Sequence, residues 1–185
     1  MESPNFRPSG PEIIFVSEDE SQKIEKVHYR PYLPDDFAAL YALETRCFQL
    51  PQRFTRRYMR QLVTSPNAAT WIAVDEAEKL AGFAIVEWVN LPSETVAYIE
   101  TLEVSAEQRR KGVGAGLLHH AVATAREADA TALWLHVAEE NQAARGLYAA
   151  QGFVMLGREK NYYGRGRHAL VLALSLASPT GLRAE

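Results

Sequence analysis

The stretch 98-YIETLEVSAEQRRKGVGAGLL-118 decides how this chain is read. Tyr98 to Val104 alternates as a strand, a charged turn follows, and Gly112 to about Ala128 reads as a long Ala/Leu-rich helix. The first N–H groups of a helix have no acceptor within it, and the helix dipole favours an anion beside them. Gly112 and Gly114 leave room for a phosphate against the backbone, and Arg109, Arg110 and Lys111 add positive charge just ahead. A dinucleotide-binding loop fits poorly, because Leu117 stands at the third glycine position and no acidic residue ends the next strand. A Walker A loop fails for want of Gly-Lys-Ser/Thr. A merely flexible glycine turn is the plain alternative to phosphate binding.

Working outward, the elements alternate. Val27 to Tyr32 has strand periodicity, and Pro34-Asp35-Asp36 suits the first turn of a helix carrying Phe37, Leu40, Tyr41 and Leu43 at helical spacing. A loop around Pro51 leads to a second helix ending near Thr64. Strands are expected over Thr70 to Val74, Leu80 to Asn90 and Thr95 to Val104, separated by turn residues. After the long helix come a short strand at Leu133 to Val137, a helix from Asn141 to Gln151 closed by Gly152, and an antiparallel pair, Phe153 to Tyr162 with His168 to Leu176. The order β-α-α-β-β-β-α-β-α-β-β predicts a mixed α/β sheet with helices on its faces. Residues 1–26 read as an extension and 178–185 as a tail, leaving 27–177 as the domain.

Composition narrows the function classes. With 185 residues, 47% of them hydrophobic, the chain can bury one core. A net charge of −3 argues against a general affinity for nucleic acid, which needs a clear Lys/Arg excess. The single cysteine, Cys47, cannot form an internal disulfide or supply a metal cluster and reads as a small buried apolar side chain. No apolar run is long enough to span a bilayer, and the first residues lack signal-peptide character, so a cytoplasmic location is expected.

Arg109-x-x-Gly112-x-Gly114, placed after a strand ending in Val104, resembles motif A of the GNAT superfamily of acetyltransferases. Asn141-x-x-Ala144-x-x-Leu147-Tyr148 followed by Gly152-Phe153 resembles motif B, and the likeness runs from about Val27 to Leu176. It implies a GNAT fold: a central, mostly antiparallel sheet with a splayed parallel pair and flanking helices. It also implies acetyl-CoA as cosubstrate, no metal, a primary amine as acceptor, and a monomer or homodimer. Within the superfamily the chain is most similar to enzymes that acetylate protein N-termini. The RimI and NatE types share the Leu147-Tyr148, Gly152-Phe153 and Asn161-Tyr162-Tyr163 pattern.

The resemblance assigns roles. Pantetheine would pair with the backbone of Leu102, Glu103 and Val104, and the pyrophosphate would lie on Arg110 to Ala115, including Val113, with Arg109 beside it. Asn141 would hydrogen-bond the pantetheine arm, next to Ala144. Tyr148 would stand near the sulfur as a phenolic acid, its alternative being a core aromatic. His136 is a candidate base because the NatE type pairs a strand histidine with a strand tyrosine, here Tyr98; the RimI type has glutamate at His136. Glu100, on the face of Tyr98 by strand alternation, is the second candidate base. Phe48, Leu50, Pro51, Tyr162 and Tyr163 would flank the acceptor, or else pack as core and cap a hairpin.

Other candidates point to structure. His119 and His120 are adjacent on a helix and diverge. Trp71, Trp88 and Trp134 fall on strands and are expected in the core, and Arg56, Arg57 and Arg60 on a solvated helix face.

Overall fold

The computed structural model describes residues 26–48 and 53–176. Leu50 and Pro51 lie outside the described residues, as do most of the N-terminal extension and the C-terminal tail. The elements are β1 (His28–Pro31), α1 (Phe37–Cys47), α2 (Arg56–Thr64), β2 (Ala68–Val74), β3 (Leu80–Asn90), β4 (Thr95–Val104), α3 (Val113–Glu127), β5 (Ala130–Ala138), α4 (Gln142–Ala150), β6 (Val154–Glu159) and β7 (Ala169–Ser175). This is the expected order. A short 3-10 turn, Pro34–Asp36, precedes α1, and Gly112 and Asn141 prove to be caps rather than first helical residues. The strand expected over Phe153 to Tyr162 stops at Glu159, and the chain turns over residues 160–163.

The strands form one sheet in the order β1-β2-β3-β4-β5-β7-β6. All neighbours are antiparallel except β4 and β5, which α3 must join by crossing one face. Ala81 to Val86 of β3 are all buried because helices cover both faces there. On one side α1 and α2 bring Phe37, Leu40, Leu43, Met59 and Leu62 onto Ile72, Val74, Phe83 and Ile85. On the other, Leu118, Ala121, Val122 and Ala125 of α3 and Tyr148 of α4 pack on Ile99, Leu133 and Leu135. Each of the larger apolar side chains contributes roughly 1.5–3 kcal/mol on burial.

Two features of β4 place the site. Its parallel pairing with β5 runs from Thr95 opposite Ala130 to Tyr98 opposite Trp134 and ends there, although both strands continue. Just beyond, β4 carries a bulge: Ile99 pairs with Val86 and Thr101 with Ile85, which leaves Glu100 as the extra residue.

Candidate active site

The glycine turn is built as the sequence suggests. Gly112 caps α3 at φ +83°, a left-handed conformation that a side chain would strain, and a Cβ there would meet nothing within 4 Å. Arg110 also has a positive φ, 63°, so the turn is tightly wound. The helical ladder begins with the Gly116 N–H donating to the Gly112 carbonyl, so the amides of Val113, Gly114 and Ala115 precede it. Val113 is buried, so only its backbone can serve a ligand. Gly114 fits the first turn against Leu102, Val104 and Leu147. Arg109 donates from Nε to the Val104 carbonyl, 3.2 Å away, and Arg110, Lys111 and Gly112 are exposed.

Asn141 spends its side-chain oxygen on capping α4, accepting from the Ala144 N–H at 3.1 Å, which leaves the amide NH2 as its donor. Tyr148 lies on the buried side of α4, its ring 5.5 Å from that of Phe153, and burial pushes its phenol up to about 12.

Where β4 and β5 part, the remaining candidates converge. The Tyr98 hydroxyl is 2.5 Å from His136 Nδ1. Burial raises the Tyr98 pKa strongly, helped by the neighbouring Tyr162 and Glu100, so the phenol stays protonated and donates to the imidazole. The ring of Tyr162 stacks on His136 at 4.3 Å and 3°, and Tyr163 meets Tyr162 edge-on at 4.8 Å. Glu100 is half-buried, accepts from the Tyr58 hydroxyl at 3.4 Å, and has its pKa raised by burial and by Glu87. Glu87, Val89, Val96, Tyr98, Glu100 and Trp134 line a shallow cleft of about 350 Å³ on this face. Phe48, just past the end of α1, is half-buried and is not among the residues that line the cleft.

The structure therefore gathers Tyr98, Glu100, His136, Tyr162 and Tyr163, and sets the turn from Arg109 to Ala115 on the opposite face of the sheet from Glu100. Several participants were not singled out from sequence: Tyr58, Glu87 and Glu159, whose Oε1 is 3.1 Å from His136 Nε2. The register of β3 on β4, which sets Glu87 opposite Tyr98, was the available signal for Glu87. Trp134, expected in the core, is 37% exposed on the cleft because neither α1 nor α2 covers this half of the sheet. Arg56 and Arg60 lie over the rings of Phe37 and Tyr41, at 4.4 to 5.5 Å, rather than on a purely solvated face. His120 stacks on Trp71 at 4.1 Å. Glu103, expected to serve the cofactor through its backbone, also carries a buried carboxyl against Glu44 of α1. Among the described residues no cluster of His, Cys, Asp or Glu could hold a metal ion, and no helix is long and apolar enough to cross a membrane.

Comparison with known proteins agrees with this geometry. The family model for acetyltransferases of the GNAT family matches residues 37–153. A streptothricin acetyltransferase of Streptomyces lavendulae is 35% identical over 112 residues, 58% of this chain and 58% of its own length. A putative ribosomal protein bS18-alanine N-acetyltransferase of Bacillus subtilis is 29% identical over 77% of this chain and 91% of its own. Among solved structures, Arabidopsis thaliana Naa50 in complex with the bisubstrate analogue CoA-Ac-MVNAL superposes with a TM-score of 0.71 at 25% identity, covering 80% of this chain and 98% of that one. With the family model spanning most of the chain, the parallel pair splayed and the glycine turn at the head of α3, this protein belongs to the GNAT acetyltransferase family.

Proposed function

We propose that this enzyme moves the acetyl group of acetyl-CoA directly onto the N-terminal α-amine of a protein or peptide. The observation that carries the reading is the fork between β4 and β5, with the Tyr98–His136 pair at its mouth and open backbone amides at the head of α3. Acetyl-CoA supplies the acyl carbon and a thiol leaving group. The amides of Val113 to Ala115 and the side chains of Arg109, Arg110 and Lys111 suit its pyrophosphate, and Leu102 to Val104 suit its pantetheine arm together with the Asn141 amide.

The acceptor must attack as a neutral amine. An α-amine of pKa about 8 is roughly one-tenth neutral at pH 7, against well under a thousandth for a lysine near 10.4. Imidazole, with an ordinary value of about 6.5, is matched to the first task. The acceptor's ammonium gives one proton to the Tyr98 oxygen, directly or through water, as the Tyr98 hydroxyl proton passes to His136 Nδ1. The neutral amine then attacks the thioester carbon, the C–N bond forms as the C–S bond breaks, and the nitrogen's surplus proton is lost to water. Tyr148, held protonated by burial, donates to the departing sulfur across the working pH range. Glu100 draws the acceptor's ammonium form to the fork, and Tyr162 and Tyr163, with Phe48, Leu50 and Pro51 of the α1–α2 loop, border the peptide. The reading takes the enzyme to be cytoplasmic, acting as a monomer or homodimer.

A small amine is the second reading, favoured by the streptothricin acetyltransferase relative and by two carboxylates in the cleft. Thiol release measured on a panel of N-terminal peptides and small amines separates them. Turnover of peptides is expected, and turnover of small amines alone would sink the N-terminal reading. Tyr148→Phe should lower kcat about tenfold or more with acetyl-CoA affinity nearly unchanged.

A further inference from the structure

Within that reading the base has a third member that neither the sequence nor the family comparison assigns. Burial seals His136 Nε2 from solvent, and it has no aligned hydrogen-bond partner among the described residues. Its close neighbour is the Glu159 carboxylate at the end of β6, with Oε1 3.1 Å away. The other ring nitrogen is occupied by the Tyr98 hydroxyl, and Tyr162, stacked at 3°, fixes the ring plane. A ring held this way has one arrangement open to it when neutral: Nδ1 accepts from Tyr98, so Nε2 carries the hydrogen, with the Glu159 carboxylate close by but off the N–H axis.

We propose that Glu159 is a positioning residue that selects this tautomer of His136 and steadies the imidazolium formed when Tyr98 hands over the acceptor's proton. The step moves one proton and no electrons: the ammonium becomes an amine as the neutral imidazole becomes imidazolium, and the net charge of the site is unchanged. Every element around the ring has been placed. Strand β4 offers Tyr98, with Glu100 behind it; the turn after β6 offers Tyr162; β6 offers Glu159; and β7 offers only apolar Val171, opposite His136. Glu159 is thus the nearest negative charge to Nε2. Its side chain is 51% exposed, so solvent screens it and its influence is moderate.

The test compares the wild-type enzyme with Glu159→Gln by NMR titration of ¹⁵N-labelled histidines, using the other four as internal controls. Removing the carboxylate should weaken the preference for hydrogen on Nε2, read from the two ring-nitrogen shifts. The value of kcat/KM should fall about threefold with acetyl-CoA affinity constant, and Glu159→Asp should restore part of both changes. An unchanged tautomer and an unchanged kcat/KM in Glu159→Gln would overturn the proposal. The parent reading fails by a different result, undiminished turnover in His136→Ala, so the two failures are told apart.

Discussion

Glu100 and Glu103 sit three positions apart on one strand, both beyond the point where β4 leaves its parallel partner, and they live in opposite worlds. Glu100 is the bulged residue, half-buried at the cleft, steadied by the Tyr58 hydroxyl and pushed up modestly by burial and Glu87. Glu103 is 3% exposed, beneath α1, facing Glu44, and burial together with that second acid raises its pKa far above the carboxylate range. Its other partner is the Thr101 hydroxyl, 3.1 Å away, while Glu44 also accepts the Phe54 N–H at 2.7 Å. Two buried carboxyls this close cannot both ionise, so they share a proton. The same side chain type thus lines a solvated cleft at one position and joins α1 to the sheet three positions on. Environment, and not residue type, assigns the role.

That contrast can be broken from either end. The largest effect should come from Glu103→Ala, which leaves Glu44 without its partner and opens a cavity. A loss of about 3 kcal/mol in urea unfolding is expected, with kcat/KM of the folded enzyme little altered. A loss below about 1 kcal/mol would show that Glu44 reorganises freely.

Next is the pH dependence of stability. The folded pair holds a proton at pH values where unfolded glutamates have lost theirs, so folding takes up a proton. The stabilising contribution is complete below the ordinary glutamate range and is lost as pH rises towards the raised folded value, by up to about 1.4 kcal/mol per pH unit. Replacing both residues, Glu44→Gln with Glu103→Gln, should flatten this fall between pH 6 and 9 as followed by thermal melts. A slope identical to wild type would place the titrating group elsewhere.

The smallest effect sharpens the other end. Glu100→Gln should raise the acceptor KM about fivefold, near 1 kcal/mol, with the Tm within a degree or so. A larger fall in kcat than rise in KM would instead make Glu100 the base.

Much of the fold was legible from residues that act locally. Helical spacing in Phe37, Leu40 and Leu43, alternation along β4 and the glycines at 112 and 114 each determine a backbone within a few positions. The turn and the pairing of Tyr98 with His136 followed once the family likeness aligned two strands. What escaped depends on where distant segments meet. Glu44 looks like any helical glutamate until α1 lies on β4, and Glu159 looks like a surface charge until β6 comes beside β5 across β7. Trp134 is exposed where a core residue is expected because alternation identifies a face of the sheet but not whether a helix covers it. The hairpin is shorter than its sequence suggests because Tyr162 turns back onto His136 instead of continuing the strand.

The extra residue in β4 also makes the strand's numbering a mechanical setting. Upstream of Glu100 the residues facing α3 are Ala97 and Ile99; downstream they are Leu102 and Val104, an interval of three instead of two across the bulge. Deleting Glu100 would therefore not merely remove a carboxylate. Either the register heals and the cleft loses one of its two acids, or the slip propagates and Leu102 and Val104 trade sides with Thr101 and Glu103. In the second case Leu102 and Val104 would point their side chains at α1, and an acid would be driven against the helix that starts at the glycine turn. A single residue thus sets which side chains of β4 meet α1 and which meet α3.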